Sequence, residues 1–370
     1  MRRALSLLTV LLVIDLLVLP QIAGPRKALS LLGRVNIGYV VLGIVLEAGS
    51  LAAYALLTRA VLPPNARPRL GTIARIDLST LAVSHVIPAG SVGGSGLGYR
   101  LLTAAGVGGT DAAFAVATQG IGSALVLNLL LWAVLIVSIP LQGFSPLYGT
   151  AALLGTILLT AFGLLVLLIL RGETRADRAL RAVVRHLPLL REEMVAGLVR
   201  HIAERLRQLL TDRRLLLKAI GWASANWLLD AASLWVFLAA FSHHFLSPID
   251  LLVAYGLGNV LAVIPVTPAG LGVIEWVIPT ALVGFGLGRG VALLAVIAWR
   301  LVNFWLPIPV GALAYLSLRV EPRGPRKRRL EELRQMAEEE AERRNEQARH
   351  EPAGRTPAHE PAGSQPARGT

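Results

Sequence analysis

The chain has 370 residues, 54% of them hydrophobic and only 16% charged, with a mean hydropathy of +0.62, which excludes an ordinary soluble domain, where about a quarter of residues are charged. There is no cysteine, so disulfides and thiolate metal sites are excluded. The formal charge of +13 comes from arginine clusters beside apolar runs, which points to cytoplasmic retention and anionic lipid rather than to nucleic acid.

The apolar runs are long enough to cross about 30 Å of hydrocarbon, and the expected class is an all-α, polytopic helical membrane protein. Ala4 to Ile22 follows Arg2 and Arg3 and is taken as a retained first span, because no good small-residue cleavage site follows. Its Asp15 is expected to pair inside the bundle. Asn36 to Thr58 is the second span and carries Glu47. The Arg59 to Arg75 loop is basic and is expected on the cytoplasmic side.

Ile76 to Ile87 and Leu97 to Ala105 are each too short to span at about 1.5 Å per residue. Joined by Pro88-Ala-Gly-Ser-Val-Gly-Gly-Ser-Gly96, they read as a re-entrant hairpin whose backbone breaks at Pro88, Gly90, Gly93 and Gly94. Asp111 to Ile139 is a full span, Pro140 to Tyr148 an external loop and Gly149 to Leu170 another span. Arg171 to Lys218 is rich in charge, with apolar residues at helical spacing from Val195 to Leu209. One or two amphipathic helices are expected there, lying on the cytoplasmic membrane surface or packed on another domain.

Ala219 to Phe241 is a span containing Asp230, and Ser242 to Pro248 a short external turn. His243 and His244 lack the further ligands that a metal site needs. Leu251 to Ile264 and Leu271 to Leu287 flank a second break at Pro265, Pro268, Gly270 and Gly272. Two prolines and two glycines there cannot continue a helix comfortably. Val291 to Leu318 is the last span. The expected division is a membrane domain over 1–319, with the 171–218 insert inside it, and a charged, disordered cytoplasmic tail over 320–370.

The two breaks look like copies of one unit. Pro88-Ala-Gly90 recurs as Pro268-Ala-Gly270, an offset of 180, and at the same offset glycines match at 106/286 and 108/288 and alanines at 112/292 and 115/295. Interrupted apolar segments in corresponding halves point to a transporter-type site. Following the basic loops puts both termini in the cytoplasm and makes the two hairpins enter from opposite faces, as an inverted repeat. Arg26, Lys27 and Arg34 run against that scheme.

Charges inside apolar sequence usually face a partner or a pathway, since a charge at bilayer depth costs roughly 2.5–3.5 kcal/mol. Arg100 and Arg300 follow the two breaks at similar distances and are the candidate phosphate binders, because a guanidinium matches phosphate bidentately. Glu275 is expected to organise them or to read a cationic head group. Asn303, near one turn from Arg300, and His85, just before the first break, complete the candidate substrate site. Asp15, Glu47, Asp77 and Asp230 are read instead as structural partners inside the bundle.

The Pro268-Ala-Gly-Leu-Gly-Val-Ile-Glu275 motif and the later Trp299-Arg-Leu-Val-Asn-Phe-Trp-Leu-Pro307 resemble the lysylphosphatidylglycerol synthase transmembrane region, also called the flippase-like domain family. Pro88-Ala-Gly-Ser-Val-Gly-Gly94, Tyr99-Arg100 and Ala104-Ala-Gly106 resemble its first motif, and the likeness runs from about Ala4 to Leu318. The resemblance implies movement of a modified phospholipid between leaflets. The short charged tail leaves no room for a soluble synthase domain, so no synthase activity is expected.

The expected function is therefore a plasma-membrane translocase of a phospholipid or lipid-linked head group, not an enzyme. The expected ligands are anionic or phosphate-bearing membrane lipids, with no cofactor, metal or nucleic acid. Two alternatives stand: an integral-membrane lipid or polyprenyl transferase, though no Asp-x-Asp or metal-spaced cluster supports it, and a non-catalytic partner of a lipid- or glycan-synthesis protein.

Overall fold

The computed structural model of the chain describes residues 36–87, 90–142, 146–170, 204, 207, 209, 211–242, 246–262 and 270–320. The expected first span, most of the 171–218 insert, the tail after 320, the two histidines at 243 and 244, and Pro88, Pro265 and Pro268 lie outside these residues. The chain divides into two units, Met1–Glu321 and Pro322–Thr370, and the description below concerns the first.

Among the described residues there is no strand. The elements are α1 (Ile37–Val61), a short 3-10 turn, α2 (Leu70–Val86), α3 (Gly90–Ala104), α4 (Gly109–Ala117), a π-helical turn (Thr118–Gly122), α5 (Ser123–Gln142), α6 (Pro146–Leu170), α7 (Arg213–Phe241), α8 (Pro248–Ala262), α9 (Val273–Gly284), α10 (Arg289–Arg300), a second π-helical turn (Leu301–Trp305) and α11 (Pro307–Val320). Among the described residues four stretches are long and apolar enough to cross a membrane: Ile37–Val61, Gly109–Ser138, Arg213–Phe241 and Arg289–Arg319. Large apolar side chains such as Val45, Ile136 and Leu313 are exposed on their outer faces, as they are where lipid rather than water is the solvent.

Local sequence explains the boundaries. The Asn36 side chain accepts the Gly38 N–H at 3.0 Å, and Asp212 accepts from Arg214 and Leu215 at 3.0 and 3.1 Å; both satisfy donors left over at a helix N-terminus. Because Asp212 caps it, α7 begins at Arg213, inside the stretch assigned to the insert from sequence. The expected loop over 140–148 also shrinks, since α5 runs on to Gln142 and α6 begins at Pro146.

The structure narrows the first expected break, which falls between the end of α2 at Val86 and the start of α3 at Gly90. Helix α3 starts at Gly90, so Gly93 and Gly94 lie within a helix rather than in an irregular hairpin tip. These glycines serve close packing instead. A Cβ on Gly94 would sit 2.8 Å from the Thr80 carbonyl, and one on Gly98 would be 3.1 Å from the Thr80 hydroxyl. The missing side chains let α3 lie against α2, which is how small residues serve helix contacts in membranes. The second break is real in backbone terms: Gly270 and Gly272 have φ of +70° and +85°, a region glycine enters without steric cost.

The 180-residue offset is visible in the local geometry. Helices end at Val61 and Phe241 and at Ala104 and Gly284, and they start at Gly109 and Arg289. Gly106 and Gly286 both have φ of +94°. Val107 N–H reaches the Leu102 carbonyl and Leu287 N–H the Leu282 carbonyl, each at 3.1 Å, a Schellman-type helix end in both copies. Ala112, Ala115, Ala292 and Ala295 are all fully buried. A π-helical turn follows in each copy.

Helices α1 and α7 form the central pair and run antiparallel. Ser233 Oγ donates to the Gly43 carbonyl at 2.9 Å, and Ser50 Oγ donates to the Asn226 carbonyl at 3.1 Å. Gly43 is where the helices press closest, since a Cβ there would lie 2.7 Å from the Phe237 ring. One apolar core gathers Leu131, Leu234, Phe237, Tyr255, Ile278 and Trp299; a second gathers Leu57, Ile73, Ile76, Leu102 and Phe114.

Candidate functional site

The polar groups converge where α1, α7 and α10 meet the second break. Glycine at 272 turns the chain into α9, and Glu275 in the first turn folds back so that its Oε2 accepts the Gly272 N–H at 2.6 Å. That bond fixes the carboxylate and satisfies an orphan donor at the helix start. Its other oxygen takes the Arg300 Nε–H at 2.5 Å. Both side chains are only 3% exposed. A buried pair of this kind persists because each charge would be far costlier alone.

Arg300 has further partners. Its guanidinium lies over the Phe304 ring at 4.3 Å, a cation–π contact. Its Nη1 is 3.5 Å from Asn303 Oδ1. The Asn303 amide then donates to two carboxylates, Asp230 Oδ1 at 3.0 Å and Glu47 Oε1 at 3.2 Å. Asp230 also receives Trp299 Nε1–H at 2.8 Å and the Tyr255 hydroxyl at 2.7 Å. Arg300 and Asn303 flank the junction of α10 with its π-helical turn, where Leu306 N–H reaches back five residues to the Leu301 carbonyl. Such π-bulges recur at functional sites because they re-aim the side chains around them.

Of these groups Glu47, Asp230, Arg300 and Asn303 line a cavity of about 320 Å³ bounded also by Ser50, Tyr54, Gln119, Ser123 and Asn226. Two buried atoms at its wall have no hydrogen-bond partner among the described residues, Glu47 Oε2 and Arg300 Nη2. No group of three or more potential metal ligands occurs among the described residues.

The structure brings together Arg300, Glu275 and Asn303 as read from sequence, and it places His85 at the same cavity. His85 stacks on Phe304 with ring centroids 4.4 Å apart, and its Nδ1–H donates to the Phe304 carbonyl at 2.9 Å. Arg100 is a correction: it is exposed near the end of α3 and is absent from this cavity. Arg100 follows Pro88 by 12 residues and Arg300 follows Pro268 by 32, so the two do not occupy matching positions.

Glu47 and Asp230 are the residues that sequence reasoning set aside. Each lies in a long apolar span, and each shares Asn303. A signal that could have found them is the count of charges in the spans: several carboxylates against a single mid-span arginine in the last helix. Asp77 forms a separate buried cluster, receiving Thr58 Oγ1–H at 2.9 Å and Gln119 Nε2–H at 3.0 Å; Gln119 also contacts the Thr58 hydroxyl.

A bundle of spanning helices with exposed apolar flanks and a buried charged cavity is a polytopic helical membrane protein. Residues 4–311 match the family model of the lysylphosphatidylglycerol synthase TM region, and the chain belongs to that family. Inner membrane protein YbhN of Escherichia coli (strain K12) is 30% identical over 96 residues, which cover 26% of this chain and 29% of that relative.

Proposed function

We propose that this protein is a translocase that moves a phosphate-bearing phospholipid or lipid-linked head group across the plasma membrane, and that it is not an enzyme. The observation that carries the reading is the cavity lined by Arg300, Glu47, Asp230 and Asn303 inside a membrane bundle, with Glu275 paired to Arg300. Charged side chains at such depth are retained where they serve a path or a ligand. Arg300 is the phosphate contact, steered by Glu275 and Asn303. The acyl tails stay in the bilayer while the head group passes, so no charged group has to enter bare hydrocarbon.

Alternating exposure of the cavity follows if the two halves form an inverted repeat. Two observations support that arrangement. Equivalent helices α1 and α7 pack antiparallel, and the contact of Glu47 with Asn303 has its counterpart at the 180-residue offset in the contact of Trp227 with Ser123. An exchange of two halves about an axis in the membrane plane produces this pattern. The pairs α2/α3 and α8/α9 are then re-entrant hairpins, since helices of 12 to 17 residues reach only about 18–25 Å against about 30 Å of hydrocarbon. In the same reading both termini are cytoplasmic, 1–319 is the membrane domain, and 320–370 is a charged tail.

The test is reconstitution into vesicles with tail-labelled phospholipids and a membrane-impermeant quencher. Wild-type protein is expected to expose inner-leaflet label, and Arg300→Ala protein is not. Equal rates in wild-type, Arg300→Ala and empty vesicles would remove the translocase reading.

A further inference from the structure

Arg300 is already balanced by Glu275, whereas Glu47 and Asp230 are not balanced by anything comparable. Among the described residues their other hydrogen-bond partners are neutral, Asn303, Trp299 and Tyr255, and the two carboxylates lie within hydrogen-bonding reach of each other. Two neighbouring carboxylates therefore face one cavity and share a single amide, and no N–H donor among the described residues reaches Glu47 Oε2. Arg300, which lines the same cavity, has one buried donor without a partner among the described residues, Nη2. Both side chains are almost wholly buried, at 3% and 2% exposure. A buried polar atom without a partner costs about 1–3 kcal/mol, more when charged. A ligand that offers an anionic acceptor to Arg300 and a cationic donor to Glu47 and Asp230 satisfies both at once.

A second cavity says what the rest of the ligand is. It also measures about 320 Å³, and apart from Glu47, Tyr54 and Asp77 its walls are apolar, among them Ile44, Ala48, Leu78, Val302, Leu306 and Val310 on α1, α2, the second π-helical turn and the start of α11. It shares Glu47, Leu51, Tyr54 and Leu81 with the polar cavity. Ile44, Leu306 and Val310 are 40%, 46% and 40% exposed on the outer face of the bundle, where hydrocarbon lies. The polar site therefore continues into an apolar groove that opens sideways to the bilayer.

We infer that the cavity selects a lipid whose head group is a zwitterion of phosphate and primary ammonium, as in a phosphatidylethanolamine. The phosphate takes Arg300 Nη2, the ammonium takes Glu47 Oε2 with the Asp230 carboxylate, and one acyl chain lies in the groove between α1, α2 and α11. The inference rests on the reading of this cavity as a lipid site. A primary ammonium carries three N–H donors, enough for both carboxylates. A trimethylammonium carries none, and a glycerol head group brings no charge to offset the acids.

The experiment uses the full chain in lipid nanodiscs and vesicles. Binding is measured for short-chain phosphatidylethanolamine, phosphatidylglycerol and phosphatidylcholine and for free phosphoethanolamine, and crossing is measured for the tail-labelled lipids. Phosphatidylethanolamine is expected to bind at least about tenfold more tightly than the other two lipids, a difference of about 1.4 kcal/mol. Glu47→Gln is expected to erase that preference while phosphatidylglycerol binding stays. Ala48→Trp, which fills the groove, is expected to weaken the lipid and spare free phosphoethanolamine.

Equal binding of the three lipids by wild-type protein overturns the inference without depending on any variant. Free phosphoethanolamine competing as well as the lipid overturns its lipid part, pointing to a soluble ligand. The two failures are separable. Crossing without head-group preference keeps the translocase and removes the zwitterion site, whereas selective binding without crossing keeps the site and removes the translocase.

Discussion

The two halves of this molecule share a backbone plan and differ in chemistry. Helix ends, the φ of +94° at Gly106 and Gly286, and the buried alanines coincide 180 residues apart. The site does not. At the positions of Asp230, Glu275, Arg300 and Asn303 the first half carries Ser50, Ser95, Gly120 and Ser123. Even the contact between Glu47 and Asn303 has a neutral counterpart, Trp227 Nε1–H donating to the Ser123 carbonyl and hydroxyl at 2.9 Å. The first half keeps its own buried carboxylate, Asp77, closed off by Thr58 and Gln119. A repeated scaffold fixes where helices cross, and it leaves each copy free to specialise its polar side chains. Here one copy supplies nearly all the charge, and Glu47 is the first half's contribution to it.

The sharpest way to break the comparison is at Arg300. Arg300→Ala leaves Glu275 buried without its cation, so a stability loss of about 3–5 kcal/mol is expected along with loss of lipid crossing. The double change Arg300→Met with Glu275→Leu removes both charges and is expected to recover most of the melting temperature in detergent but none of the crossing. Restored crossing in the double variant would make the pair structural and the second half no more functional than the first. Next in size is Asp230→Asn, which keeps its shape and weakens the Trp299 and Tyr255 hydrogen bonds. Crossing is expected to fall about tenfold, the equivalent of about 1.4 kcal/mol, in the vesicle assay.

The matching change in the first half, Asp77→Asn, is expected to cost about 1–2 kcal/mol of stability, read by thermal melting, while crossing per folded molecule holds. A crossing defect as large as that of Asp230→Asn would show two equivalent sites. Gly43→Val tests the scaffold shared by both halves. Its added methyls meet the Phe237 ring, and overpacking of this kind costs about 1–3 kcal/mol. Phe237→Leu in the same chain is expected to return part of that loss in melting temperature.

Much of this comparison was legible in the sequence. The spans are visible as long apolar runs because every backbone group in lipid must bond within its own helix. The second break was legible because Gly270 and Gly272 adopt conformations that other residues resist. At the first, Gly93 and Gly94 were misread, since they look like a turn in one dimension and lie in a helix that packs closely in three. Glu275, Arg300 and Asn303 were found through their nearness in sequence to the break. Glu47 and Asp230 were passed over because their partner, Asn303, lies 256 and 73 residues away, a distance that no local pattern reports.

Arg100 gives the smallest expected effect and the cleanest decision between the halves. Its sequence position after the first Pro-Ala-Gly made it the counterpart of Arg300, yet it is exposed and outside the cavity. An exposed arginine contributes little to folding, usually within about 0.5 kcal/mol for a surface change. Arg100→Ala is therefore expected to leave the melting temperature unchanged and to alter crossing by less than about twofold, or about 0.4 kcal/mol. If crossing instead drops as far as in Arg300→Ala, the cationic work is shared between the halves. The exposed end of α3 would then have to approach the head group during transport, and the division of labour drawn from Ser95 and Gly120 would fail.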